Sequence, residues 1–173
     1  MSYTRTGRIL CLFHIFYFYG IVTLNDIREY IPENEISKKT ILRYIRFLED
    51  AGLIRLWYSH IEKAYVPIHN NFVPQQGEFY PAKLPDKKSQ RLYMKKIIRL
   101  CTLMIQVMDW ESCGENDPIA WYRKKYPELS DRMRQRDFKQ LREIGYCITY
   151  LPADKDTPAG YDYTYPYGDD LLL

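Results

Sequence analysis

The feature that most limits what this chain can fold into is a weak internal duplication. Ser37-Lys38-Lys39-Thr40-Ile41-Leu42-Arg43, continuing to Leu48 and Gly52, lines up with Ser130 to Arg136, Leu141 and Gly145 at a constant offset of 93. Upstream, Tyr30-Ile31-Pro32-Glu33 is echoed by Tyr126-Pro127-Glu128, and an apolar helical stretch from Arg8 to Tyr19 by another from Gln90 to Trp110. Such a repeat means that one supersecondary unit is used twice. In 173 residues, two copies of such a unit fill most of the chain.

Each copy is predicted as three helices followed by a hairpin. Ile9, Leu12, Phe13 and Phe16 fall at i, i+3, i+4 and i+7, the spacing of one helix face. Gly20 ends that helix. Thr23 with Asp26 resembles a capping box and opens a short second helix to Tyr30, which Pro32 closes. Ser37 caps the third helix, whose buried face is expected to be Ile41, Tyr44, Ile45 and Leu48, and Gly52 ends it in left-handed geometry. Ile54–Tyr58 and Lys63–Ile68 form a hairpin around Ser59-His60-Ile61-Glu62. In the second copy Asp117-Pro118 starts a helix, Ser130 caps the next and Gly145 ends it; Cys147–Leu151 and Tyr161–Tyr165 make the longer hairpin. Pro74, Gln75, Gln76, Gly77, Pro81 and Pro85 mark 69–87 as linker. The expected fold is therefore mainly α with small β-hairpin wings (α+β). It comprises two winged helix-turn-helix domains in tandem, at 1–68 and 88–166, with an acidic and apolar tail at 167–173.

The pattern Ser37-x-x-Thr40-Ile41-x-Arg43, closed by Leu48-Glu49-x-x-Gly52-Leu53-Ile54, resembles the winged helix-turn-helix domain of DeoR-type bacterial transcriptional regulators. Ser130, Arg136-Asp137-Phe138, Leu141 and Gly145-Tyr146 resemble the same family's Arg-Asp-Leu segment. About 60 residues in each half are covered. Tyr44 stands where the family has an aspartate, Met133 replaces its threonine, and Arg134 falls where the first copy has Ile41 on its buried face. The resemblance implies a DNA-binding regulator, here with no ligand-sensing domain following.

In a helix-turn-helix the third helix docks in the major groove. At 100° per residue, Lys39, Leu42, Arg43 and Arg46 share the face opposite Ile41 and Leu48. Shifted by 93, that face becomes Arg132, Gln135, Arg136 and Lys139. Both stripes are cationic, and Gln135 has the chemistry to pair with adenine. Lys38, Arg134 and Arg142 flank them as phosphate contacts, and Arg123-Lys124-Lys125 sits where the preceding helix crosses the backbone. The alternative is a solvated helix face, which Glu49, Asp50 and Glu143 favour. The net charge of +3 is too small for a polybasic protein, so DNA contact must come from local patches. Residues 88–150 carry 13 basic against 8 acidic side chains, whereas 151–173 carry 1 against 5.

Other function classes find little footing. No Gly-rich phosphate loop, nucleophile–base pair or paired carboxylates point to an enzyme. Cys11, Cys101, Cys113 and Cys147 include no C-x-x-C pair, and His14, His60 and His69 have no partner at ligand spacing, so neither metal nor cofactor is expected. The 14-residue apolar run Ile9–Val22 is too short to span a bilayer and lacks a small-x-small cleavage site. A cytoplasmic protein with reduced thiols and no membrane partner is expected. Leu10, Ile15 and Phe18 lie off the main stripe of the first helix, and Ile98, Cys101, Ile105 and Met108 form a second face on the fourth. Helices apolar on two sides must be covered on both. Either they pack together within the chain or one meets its mate in a homodimer, the arrangement expected here. The rival functions are a protein-interaction scaffold of the chromosome-condensation accessory type, suited by Tyr-rich wings, and a plasmid-type replication initiator.

Overall fold

The computed structural model describes residues 3–31, 36–68, 79–108 and 118–166. Among them the chain runs α1 (Arg5–Tyr19), β1 (Val22–Thr23), α2 (Leu24–Tyr30), α3 (Lys38–Asp50), β2 (Leu56–Ser59), β3 (Ala64–Pro67), α4 (Lys88–Met108), α5 (Pro118–Lys125), α6 (Asp131–Arg142), β4 (Cys147–Leu151) and β5 (Gly160–Thr164). This is a mixed α+β protein. Pro32, His69, the Pro74–Gly77 stretch, Trp110, Cys113, Asp117 and the 167–173 tail lie outside the described residues.

Local capping chemistry sets the helix starts. The side chains of Thr4, Thr23, Ser37 and Ser130 each accept from a backbone N–H in the first turn that follows, relieving one of that turn's unpaired donors. At α2 the box is complete: the Asp26 N–H donates to Thr23 Oγ1 at 3.1 Å, and the Thr23 N–H to Asp26 Oδ2 at 2.7 Å. Pro118 takes the first position of α5, where its missing N–H costs nothing. Gly20, Gly52 and Gly145 follow α1, α3 and α6 with φ of 68°, 72° and 90°. Gly52 is constrained twice over, because a Cβ there would stand 2.0 Å from the Tyr80 carbonyl oxygen.

The first sheet is antiparallel, in the order β1-β3-β2, and β4 and β5 pair as a hairpin. The first hairpin is shorter than predicted. Leu53 and Ile54 are drawn into the core as the chain leaves α3, so pairing begins only at Leu56. The turn shifts to His60–Lys63, with Lys63 at φ 52°. β1 was not foreseen; two residues are too few to show an alternation. Residues 79–87, predicted as linker, lie in part against the first unit. The Lys83 N–H donates to the Asp50 carbonyl at 2.9 Å, and Phe79 meets Phe13 edge-on at 6.5 Å.

One continuous apolar core joins both units, with α1 at its centre. This helix packs against α2, α3, α4 and α6, and every residue from Ile9 to Phe16 is fully buried. Leu10 and Ile15, which lie off its main stripe, are therefore covered within the chain. On α4 the faces of Ile97, Leu100, Met104 and Val107 and of Cys101 and Ile105 are likewise buried. Phe18 stays 37% exposed, and Ile98 and Met108 are only partly buried, so most of the apolar surplus, but not all of it, is covered inside the chain. Among the described residues no helix is long and apolar enough to cross a membrane.

Candidate nucleic-acid interface

On α3 the buried residues are Ile41, Tyr44, Ile45 and Leu48, the face expected from the pattern. Lys38, Lys39, Leu42, Arg43 and Arg46 are left exposed. Burial of the four apolar side chains, each worth about 1.5–3 kcal/mol, fixes the helix's rotation and so aims the cations outward. Arg43 stays close to the helix, its guanidinium 5.8 Å from the Tyr44 ring centre.

The second copy repeats this geometry. On α6, Asp137, Phe138 and Leu141 are buried, while Arg132, Gln135, Arg136 and Lys139 are exposed. Arg134 departs from expectation as a flanking phosphate contact. It occupies the position of buried Ile41 and is turned inward, its side chain 13% exposed. It donates to Asp131 Oδ1 at 2.9 Å and to the Tyr126 carbonyl at 3.4 Å. The bond to Tyr126 ties α6 to the residue that follows α5, and the bond to Asp131 stays within α6. Arg142 is exposed, as expected.

What orients α6 is a buried polar cluster that the sequence reading missed. Arg99 of α4 donates through Nε to Asp137 Oδ2 at 2.8 Å and through an Nη to Oδ1 at 3.1 Å. The Tyr122 hydroxyl of α5 donates to the same carboxylate at 2.5 Å. Three helices of the second unit are thus pinned to one carboxylate, 3% exposed. Burial works against the Arg99 charge, but Asp137 and Tyr122 outweigh it and hold the guanidinium pKa up. Burial, then the neighbouring carboxylate, raises that of Tyr122. The signal was available: at offset 93 Asp137 falls on buried Tyr44, and a carboxylate at a buried position requires a cation.

The two copies are locked by a second polar contact. His14 Nδ1 of α1 lies 2.5 Å from the Tyr146 hydroxyl, which also reaches Met108 Sδ at 2.9 Å. Burial lowers the His14 pKa to about 4, so the ring is neutral at physiological pH. Burial also pushes the Cys11 thiol up to about 12 and raises that of Cys101. Both thiols therefore act as small apolar groups rather than nucleophiles. Among the described residues there is no group of three His, Cys, Asp or Glu side chains placed to hold a metal.

The hairpins carry exposed aromatic side chains beside the helices. Trp57 is 52% and Tyr150 57% exposed, with Tyr58 less so. An Arg123 Nη donates to the Tyr161 hydroxyl at 3.2 Å, joining the basic end of α5 to β5. Along the exposed face of α3, Arg43 and Arg46 also line a cleft shared with residues 83–85 and the start of α4. No protein-family model, curated protein or solved structure matches this chain.

Proposed function

We propose that the chain is a DNA-binding transcriptional regulator built as two winged helix-turn-helix units in tandem, with α3, α6 or both lying in the major groove. Support comes chiefly from one observation: at positions 93 apart, Lys39 and Arg132, Leu42 and Gln135, Arg43 and Arg136, and Arg46 and Lys139 are all exposed on capped helices whose opposite faces are buried. A stripe of this kind supplies what duplex recognition needs. The cations neutralise phosphates and release counterions, Arg43 and Arg136 can bind guanine or a phosphate through two N–H groups, and Gln135 can pair with adenine. The β2–β3 and β4–β5 hairpins serve as wings, and the partner is double-stranded DNA in the cytoplasm. No catalytic step, cofactor or metal is invoked.

Charge reversal tests the assignment. Arg43→Glu and Arg136→Glu are each expected to weaken duplex binding about tenfold or more, each lost phosphate contact also reducing the salt slope by about 0.9. The circular dichroism spectrum and melting temperature should stay close to those of the parent, since both side chains are exposed. Unchanged affinity in both variants removes the two helices as readers. The exposed Trp57, Tyr58 and Tyr150 favour a scaffold as the second reading, in which a protein partner is lost on Trp57→Ala while Arg43→Glu has no effect.

A further inference from the structure

The cleft between α3 and α4 has a volume of about 470 Å³, within the range of small-molecule sites. Its walls carry four cationic side chains, Arg5, Arg43, Arg46 and Lys83, against the single carboxylate of Asp50. None of the four is in an ion pair among the described residues. Arg5 is held in place over the Tyr93 ring at 5.0 Å, and the backbone that carries Lys83 is fixed by its N–H bond to the Asp50 carbonyl. The floor is apolar, made by Phe47 and Tyr93, whose ring centres are 5.7 Å apart, and by buried Met94. The first turn of α4 contains no acidic residue to offset the positive end of that helix.

Unpaired cations above an apolar floor match a ligand with a doubly charged head and a hydrophobic body. We propose that this cleft binds a small organic phosphate monoester. Its phosphate takes charge-assisted hydrogen bonds from Arg43, Arg46 and Lys83, and its apolar or aromatic body lies against Phe47 and Tyr93. Because Arg43 and Arg46 also belong to the stripe assigned to DNA, bound ligand and duplex compete for the same two side chains. The competition rests on the proposed DNA-binding function; the binding of the ligand does not.

The test is calorimetric titration of the full chain with 2-naphthyl phosphate in low salt, without DNA. One saturable site is expected. Lys83→Gln should weaken it about tenfold, the loss of one charge-assisted bond, with an unchanged melting temperature. Inorganic phosphate and 2-naphthol should each bind more weakly than the ester. No saturable heat up to about 1 mM ligand, an unaltered affinity in Lys83→Gln, or equal affinity for inorganic phosphate overturns the proposal. A duplex titration then separates it from the DNA reading. Lys83→Gln should leave duplex affinity unchanged while 2-naphthyl phosphate displaces duplex from the parent. If the ester binds but no duplex does, the cleft stands and the regulator reading falls. If duplex binds through Arg43 and Arg46 but the ester does not, the cleft proposal falls alone.

Discussion

Removing Asp137 alone should destabilise the protein far more than removing Asp137 and Arg99 together. Asp137→Leu leaves the Arg99 guanidinium and the Tyr122 hydroxyl without the acceptor they share, in a site where the arginine side chain is 13% exposed and the aspartate 3%. Stripping one partner from a buried pair costs about 3–5 kcal/mol. That is a large part of the 5–15 kcal/mol that holds an ordinary domain together. Arg99→Met should cost a similar amount by orphaning the carboxylate, although the Tyr122 hydroxyl still donates to it. In the double variant no buried charge remains and Leu and Met replace the lost volume with apolar contact; only the buried Tyr122 hydroxyl is left without its partners, at about 1–3 kcal/mol. The cost of the double variant should fall below that of either single change, so the coupling must exceed either single cost and be more than about 3 kcal/mol. Equilibrium urea unfolding of the four proteins, followed by circular dichroism, measures this directly. Additivity of the two single costs to within about 0.5 kcal/mol would refute the idea that this carboxylate pins α4, α5 and α6 together.

His14 is held neutral when folded, with a pKa near 4 against 6.5 when unfolded. The unfolded chain therefore takes up the proton first, and stability should fall as pH drops from about 6.5 to 4, by a total of about 3 kcal/mol. A His14→Phe variant should lose that part of the acid dependence, and identical pH slopes in the two proteins would sink the assignment. Gly52→Ala should cost several kcal/mol, because left-handed strain of about 1–2 kcal/mol adds to collision with the Tyr80 carbonyl. Gly20→Ala, with nothing within 4 Å of the new Cβ but with φ 68° and ψ −77° outside the left-handed helical region, should cost backbone strain alone; a Gly52→Ala loss no larger than about 1–2 kcal/mol in thermal melts would mean that the Tyr80 approach does not matter.

The parts of this structure that depend on neighbours in sequence can be read from the chain itself. Thr23, Ser37 and Ser130 sit where caps are needed, and the buried residues of α3 match the helical period. The offset of 93 carries this logic across: Leu48 and Leu141 are both buried, and Gly52 and Gly145 both take positive φ. What periodicity does not encode is which apolar face meets which. The pattern of Ile9–Phe16 fits cover from within the chain or from a second copy, and α2, α3, α4 and α6 close around it. The same gap hid the candidate site's long-range parts. Arg5 and Lys83 lie far in sequence from Arg43 and Arg46 but line the same cleft. Arg134 carries two conflicting signals in the sequence, a flanking cation beside the stripe and the repeat's equivalent of buried Ile41; the second is the one the structure follows, with the Tyr126 carbonyl accepting from the inward guanidinium.

The central claim is that the exposed cations of α3 and α6 meet DNA phosphates, and its most direct measurement is fluorescence anisotropy of a random duplex of about 30 base pairs across a salt series. Neutralisation of four or more phosphates gives micromolar binding at low salt and a log–log slope of about −3.6 or steeper. Absence of binding at about 50 mM salt, or a slope shallower than about −1 that Arg43→Glu and Arg136→Glu leave unchanged, would contradict the account.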